Sequence, residues 1–289
     1  MSGTLYLVST PIGNLGDMSA RALDTLRDCD FVAAEDTRVA MKLLSCFDIH
    51  KPIVSYHEHN KLARGDEIIA RIQNGENCAL TTDAGTPAIS DPGADLVAQC
   101  RLAGIPVRTV PGACAAVAAF SLYGIAGRFT FEGFLSVKRP SRKAHLESLK
   151  NETRPMIFYE APHKLCPTLR DFAATFGADR GILLARELTK LHEESVRMTI
   201  GEAVAFYRVN EPRGEYVLIV DGAPEAAGKP VVDPNEIARA YVASGMSPSE
   251  AAKLAARETN MPRNAIYRAL LEDEQDESDS EDSSEDNIS

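Results

Sequence analysis

Between Thr4 and Val110 the chain repeats one hydropathy pattern: a short apolar run, a polar turn, then a stretch with helical spacing. The apolar runs are Leu5–Ser9, Phe31–Ala34, Ile53–Tyr56, Cys78–Thr82 and Val107–Val110. Helix-like segments near Ser19–Arg27, Arg38–Cys46, Leu62–Gln73 and Ala94–Ala103 separate them. A short strand that is apolar throughout has no face to give to water, so both faces need covering. Regular β-α alternation of this kind predicts a parallel sheet with helices on both sides. Ala113–Leu122 then supplies a helix of small residues that can lie close against backbone or ligand.

Past Gly124–Arg128 the rhythm changes. Strands are expected at Phe129–Leu135, Met156–Tyr159, Ile182–Leu188, Ser195–Thr199 and Tyr216–Val220, with fewer crossover helices, which suits a mixed sheet. Ala223–Val232, built of Pro, Gly and Ala, reads as a linker, and three short helices follow at Pro234–Ser244, Pro248–Arg257 and Arg263–Leu271. The expected organisation is α/β in two parts, residues 1–123 and 124–224, then a helical unit over 233–271 and an acidic tail over 272–289. That tail carries ten acidic side chains, no basic one and no aromatic, a composition that predicts disorder. It also holds nearly all of the net charge of -11, so the remaining body is close to neutral and lacks a global basic signature.

Several classes fall away on pattern. No two glycines are separated by a single residue, and neither a GxxxxGK[ST] loop nor a GxSxG elbow occurs, which argues against ordinary dinucleotide enzymes, P-loop NTPases, kinases and serine hydrolases. Six scattered cysteines without a CxxC pair read as reduced, mainly buried thiols. Residues 1–20 lack a secretory signal and the longest weakly polar run, Ala113 to Tyr123, is too short to span a bilayer, so a cytoplasmic protein without membrane attachment is expected. His57-Glu58-His59 places two imidazoles on one side of an extended chain, but with no third ligand in view a substrate-facing loop is the better reading, and no metal is expected.

What the chain does carry clusters at strand ends. STPIGNLGD (Ser9–Asp17) follows the first strand, EDTR (Glu35–Arg38) the second, DAGTPAISDPG (Asp83–Gly93) the fourth and PGACAAVAA (Pro111–Ala119) the fifth. Strand ends of a parallel sheet share one edge, so these four loops can converge on one cleft. The third is the most constrained: Gly85 and Gly93 allow backbone conformations closed to other residues, while Pro87 and Pro92 fix theirs. Its plain structural alternative is a tight strand-to-helix turn with Asp91 capping the next helix.

The second half adds FYEAPHKL (Phe158–Leu165), RELTKLHEE (Arg186–Glu194) and GEYVLIV (Gly214–Val220). Together, in this order over about residues 4–222, the seven segments resemble the tetrapyrrole methylase superfamily of S-adenosylmethionine-dependent methyltransferases. STPIGNLGD, EDTR and FYEAPHKL are similar to its bacterial ribosomal RNA branch, which methylates the ribose 2′-oxygen of a cytidine in 16S rRNA. The resemblance implies two α/β domains holding S-adenosylmethionine between them, and a homodimer. Carried over by position, Asp83, Ala84, Gly85, Thr86, Pro87, Ile89, Ser90 and Asp91 would meet the methionine part, with Pro11 beside them. Ala113, Cys114 and Ala115 would form a close wall; Tyr159, Glu160 and the backbone near Glu187 and Val217 would border the adenosine.

Methyl transfer from a sulfonium is an in-line displacement, for which alignment supplies much of the rate. A ribose hydroxyl is a poor nucleophile, so a base or a cation near the developing alkoxide would help. Candidates are Asp36, Arg38, Glu160, Lys190 and Glu193, each of which could equally be half of a structural ion pair. For RNA, Lys138, Arg139, Arg142 and Lys143 in VKRPSRK suggest an exposed turn, with a solvated helix start as the rival. Lys253, Arg257, Arg263 and Arg268 lie in a helix–turn–helix rhythm that fits nucleic acid or a purely structural cap. Two other readings stay open at this level: a methyltransferase of a tetrapyrrole or other small acceptor, and a non-catalytic nucleic-acid-binding regulator.

Overall fold

The computed structural model describes residues 2–224, 233–259 and 261–271, so the acidic tail and most of the expected linker lie outside the described residues. The chain divides into two units, residues 1–223 and 224–289. In the larger unit, β1 (Leu5–Val8), β2 (Phe31–Ala34), β3 (Ile53–Ser55), β4 (Cys78–Thr81) and β5 (Val107–Val110) form a parallel sheet in the order β3-β2-β4-β1-β5. Side-chain alternation divides each strand between two cores. Phe31 and Ala33 join Ile68 and Ile72 of α3 (Lys61–Gln73) and Leu96 and Cys100 of α4 (Ala94–Leu102). Val32 and Ala34 join Leu26 of α1 (Ala20–Asp28) and Leu44 of α2 (Thr37–Cys46) on the opposite face.

The second sheet of this unit is mixed. Its strands β6 (Thr130–Phe134), β7 (Met156–Glu160), β8 (Gly181–Arg186), β9 (Glu194–Thr199) and β10 (Tyr216–Val220) run in the order β6-β7-β10-β8-β9. Only β6 and β7 pair in parallel; β10 is antiparallel to β7 and β8, and β8 to β9. Ala116 and Ala119 of α5 (Ala115–Tyr123) pack on Ile157, Leu183, Val217 and Ile219. The alternate residues Phe158, Leu184 and Leu218 meet α6 (Arg139–Ser148), α7 (Pro162–Phe176) and α8 (Ile200–Val209) through Leu146, Leu169, Phe172 and Ile200. The alanines of α5 let that helix approach the sheet closely, as the small-residue run suggested.

Three local expectations need correction. VKRPSRK is not an exposed turn: Arg139 opens α6 with Pro140 in its first turn, where a missing N–H costs nothing. Arg142 points inward to Asp171 (2.6 Å) and Thr168 (2.8 Å), so only Lys138, Arg139 and Lys143 of the four cations are exposed. The strand expected over Phe129–Leu135 is shorter and bulged between Phe131 and Gly133. Gly133 has φ +61°, and a Cβ there would lie 2.7 Å from Ser90 Oγ, so the glycine lets the β4 loop press against β6. The strand expected to reach Leu188 stops at Arg186, because Glu187 (φ +52°) turns the backbone into the left-handed region.

The smaller unit contains α9 (Pro234–Ala243), α10 (Pro248–Thr259) and a helix over 263–271. Ala238, Ala251, Ala252, Ala255, Ile266 and Leu270 make its core, and Asp233 caps α9 by accepting the Asn235 N–H. Among the described residues no helix is long and apolar enough to cross a membrane. All six cysteines are free: Cys29, Cys78 and Cys100 buried, Cys114 and Cys166 half-buried, Cys46 exposed.

Candidate active site

The carboxyl edge of the parallel sheet faces the mixed sheet across a cleft of about 410 Å³, within the range of small-molecule sites. The first sheet contributes Ile12 after β1, Glu35 after β2, and Asp83–Thr86 and Ile89–Asp91 after β4; Cys114 and Ala115 come from the start of α5. The second contributes Phe134, Tyr159, Glu160, Ala161, Ala185, Leu188, Lys190, Glu215, Tyr216 and Val217. The position agrees with the rule that ligands of open α/β sheets bind outside the strand carboxyl ends.

The β4 loop is held by hydrogen bonds to its neighbours. Thr10 and Gly85 exchange backbone hydrogen bonds of 2.8 and 3.1 Å, and the Thr10 hydroxyl donates to the Thr82 carbonyl at 3.1 Å. Thr86 Oγ1 lies 3.0 Å from Ser9 Oγ and donates to the Ala113 carbonyl at 3.0 Å, tying three of the four strand-end loops together. Ala88 (φ +65°) and Ser90 (φ +60°) sit in the left-handed region without being glycine. Such strain costs of order 1–3 kcal/mol per residue and persists where the surroundings over-determine it, most often at binding loops. Asp91 does not cap α4, whose N-cap is Gly93 with no side-chain partner, so the plain capping alternative is set aside.

The sequence-derived cofactor residues fall into two groups. Asp83, Ala84, Gly85, Thr86, Ile89, Ser90, Asp91, Cys114, Ala115, Tyr159, Glu160 and Val217 line the cleft. Pro11, Pro87, Ala113 and Glu187 are outside the lining; Ala113 fixes Thr86, and Glu187 accepts the Lys190 ammonium at 2.9 Å. Tyr159 reaches across to α5, its phenolic oxygen accepting the Ala116 N–H at 3.0 Å, and is flanked by Phe131 and Phe134 at 5.2 and 5.4 Å between ring centroids.

The five candidate proton acceptors or cations are all engaged. Asp36 accepts Arg38 Nε (3.0 Å) and Nη2 (2.6 Å) and caps α2 through the Arg38 N–H. These bonds hold its carboxyl well below the usual range. Neither Asp36 nor Arg38 lines the cleft. Glu160 is 5% exposed, accepts the Ala161 N–H at 3.0 Å, and takes a hydrogen bond from the Thr168 hydroxyl. Lys190 lines the cleft with its ammonium 2.9 Å from both Glu187 and Glu215. Glu193 accepts the Thr189 N–H at 2.6 Å and shapes the turn after β8.

Three carboxylates in the cleft are disposed differently. Glu35, Asp83 and Asp91 come together at the ends of β2 and β4. Burial, reinforced by the Glu35 charge, pushes Asp91 up to about 6; burial and Asp83 likewise raise Glu35. Ile12, Ala185, Leu188 and Val217 give the cleft an apolar wall. Among the described residues no group of three or more His, Cys, Asp or Glu is arranged to hold a metal ion.

Comparison with known proteins places this architecture. Residues 4–204 match the family of tetrapyrrole (corrin/porphyrin) methylases, and residues 236–274 match the RsmI C-terminal HTH domain. The ribosomal RNA small subunit methyltransferase I of a Synechocystis strain is 47% identical over 95% of this chain and 99% of its own length. The protein of that name from Bacillus subtilis is 44% identical over 92% of this chain and 94% of its own. The chain belongs to this family of tetrapyrrole methylases. Among solved structures, diphthine synthase is similar at a TM-score of 0.58 with 14% identity, covering 76% of this chain and 90% of its own. Uroporphyrin-III-C-methyltransferase of Thermus thermophilus gives 0.55 with 19% identity, covering 76% and 94%. At these identities the likeness concerns the fold alone, two sheets flanking a cleft.

Reading the sequence did not single out Glu35, Ile12, Ala161, Leu188, Glu215 and Tyr216 as site residues although they stand in the segments quoted above, and it missed Phe134 and Ala185. Glu35 could have been found as the first polar residue after the buried run Phe31–Ala34. The apolar members carry no signal of their own, since facing a cleft and facing a core demand the same side chains. In the smaller unit Lys253, Arg257, Arg263 and Arg268 are exposed, and Arg263 donates to Ser249 Oγ at 2.8 Å.

Proposed function

We propose that the chain transfers a methyl group from S-adenosylmethionine to the ribose 2′-oxygen of a cytidine in small-subunit rRNA. The observation that carries the reading is the cleft: the strand-end loops named from sequence and the wall of the mixed sheet face one space large enough for a nucleoside-sized ligand. The lining suits this donor. Carboxylates at Asp83 and Asp91 complement its two positive centres, and Ile12, Leu188 and Val217 offer an apolar surface to a purine. When bound, S-adenosylmethionine supplies an electrophilic methyl group on a sulfonium.

The residues of the chain bind and orient. Asp83–Thr86 and Ile89–Asp91 hold the methionine part on a loop with little freedom left to lose, and Cys114 and Ala115 permit close approach. Tyr159, Glu160 and Val217 border the adenosine, with Tyr159 locked by Ala116. Lys138, Arg139 and Lys143 at the start of α6 supply phosphate contacts, and Lys253, Arg257, Arg263 and Arg268 a second set on the helical unit. Support for RNA as acceptor is the family's name together with the helical unit that follows the catalytic fold.

The test is transfer of tritium from labelled cofactor to small subunits, or to rRNA lacking the modification, followed by primer-extension mapping of ribose methylation. Label on one cytidine ribose is expected. Label on uroporphyrinogen or a precorrin and none on RNA would overturn the substrate assignment.

A further inference from the structure

Removing a proton from a ribose hydroxyl requires a group that faces the cleft with lone pairs still open. The five groups named from sequence are tied to arginine, backbone N–H groups, a threonine or other ions, as described above. Glu35 is different. Among the described residues its carboxylate accepts one hydrogen bond, from Thr82 Oγ1 at 3.3 Å to Oε2, and its other oxygen is unengaged. The Thr82 hydroxyl also acts on the Asp91 carboxyl, holding it lower than burial alone would, and the residue itself is 6% exposed. Its position is fixed from behind, because its carbonyl accepts the Thr10 hydroxyl at 3.1 Å. One hydroxyl carries one proton, so Thr82 can donate to only one of the two carboxylates at a time and leaves the other more basic.

We infer that Glu35 is the catalytic residue that accepts the proton of the ribose hydroxyl, and that Asp91, joined to it through Thr82, is a positioning residue that sets its basicity. The inference rests on the function proposed above. In the step, the O–H bond of the ribose breaks as an O–CH₃ bond forms, the proton passing to the Glu35 carboxylate. The S–CH₃ bond breaks with its electron pair left on sulfur, and Glu35 then returns the proton to solvent. The charges facing Glu35 come from three loops: Asp83 after β4, His57 after β3, and Asp36 beside it on its own loop, while Asp91 in turn feels the Glu35 charge. Burial raises the Glu35 carboxyl most, the negative Asp83 and Asp36 add to it, and of the charges only His57 opposes them. His57 Nδ1 is itself buried without a hydrogen-bond partner, which leaves the imidazole available to that network. A carboxylate raised in this way holds a proton more firmly than an ordinary one and is correspondingly the better base.

The test uses the full chain at saturating cofactor, with single-turnover rates on unmodified small subunits between pH 5 and 9, and carboxyl ¹³C NMR titration of the free protein. Glu35→Gln is expected to lower the rate by about 10²- to 10⁴-fold, with cofactor affinity by calorimetry unchanged within about threefold, roughly 0.6 kcal/mol. Asp91→Asn is expected to move the acid limb of the rate, and the Glu35 carboxyl titration, to lower pH, because a neighbouring negative charge is gone. Thr82→Val should move both to higher pH by removing the donor. An active wild type with Glu35→Gln unimpaired, or a Glu35 titration that ignores Asp91→Asn, overturns the acceptor role and leaves the proposed function standing. A wild type inert toward RNA overturns both.

Discussion

Replacing Tyr159 by Phe removes one oxygen and tests how the two halves of the cleft are joined. The phenolic oxygen accepts the Ala116 N–H at 3.0 Å, and Ala116 is the second residue of α5. The first-turn N–H groups of a helix have no partner within it, and the N-cap of α5, Cys114, provides no side-chain hydrogen bond. Tyr159 on β7 therefore serves as a cap supplied from another element. Phe keeps the ring contacts with Phe131 and Phe134 but strands a buried donor. An unmet buried donor costs about 1–3 kcal/mol, and the loss of an N-cap about 1 kcal/mol. Taking about 1.5 kcal/mol, the transition of a unit of this size should fall by about 3–6 °C. Calorimetry of the apo protein reads that shift, and chemical denaturation should give an unchanged m-value. Cys114→Ser offers α5 a local cap, since Ser accepts from the second or third N–H of a helix. The double variant should therefore recover most of the lost stability, a coupling of about 1 kcal/mol between neighbouring sites. A shift below 1 °C for Tyr159→Phe, or strict additivity with Cys114→Ser, would refute the reasoning.

Asp91→Asn should gain stability relative to wild type as pH rises from 4 to 8. A carboxyl raised to about 6 binds more protons folded than unfolded, so its contribution is favourable below the ordinary carboxylate range and is lost as pH rises through 6. With allowance for solvent screening the gain is about 1 kcal/mol at pH 8, read by urea denaturation, and cofactor affinity should fall. Arg142→Ala should destabilise the larger unit by about 1–2 kcal/mol, because it releases Asp171 and Thr168. Lys143→Ala should leave thermal stability within about 0.5 kcal/mol and lower the salt slope of RNA binding by roughly one. The opposite ranking would show that α6 holds RNA through its inward residue. Glu152, bonded to Arg154 Nε, Nη2 and N–H at 2.7 to 2.8 Å, has its carboxyl lowered to about 2. Its stabilising contribution is present above the ordinary glutamate value and fades only as pH falls toward 2, so NMR should find Glu152 ionised at pH 3.

The sequence by itself determined the strands of both sheets, the helices of the first half and of the C-terminal unit, and which loops would bear polar groups, while α6, α7 and α8 were not read from it. Buried strands such as Phe31–Ala34 and Tyr216–Val220 leave no choice about burial, and glycine and proline punctuation sets where the loops begin. Four of those loops sharing one edge follows from parallel pairing alone. The partners of each polar side chain were decided only by the tertiary structure. Arg142 reads as a surface cation until α7 brings Asp171 and Thr168 to it. Glu160 reads as a base until the same helix supplies Thr168. Glu35 reads as one acid among many until β4 sets Thr82 beside it and the next loop delivers Asp91. Local preference is a property of adjacent residues and is written in their order. The charge state and freedom of a carboxylate depend on groups tens of residues away, 47 in the case of Glu35 and Thr82. Their distance is fixed by how the sheet stacks its strands.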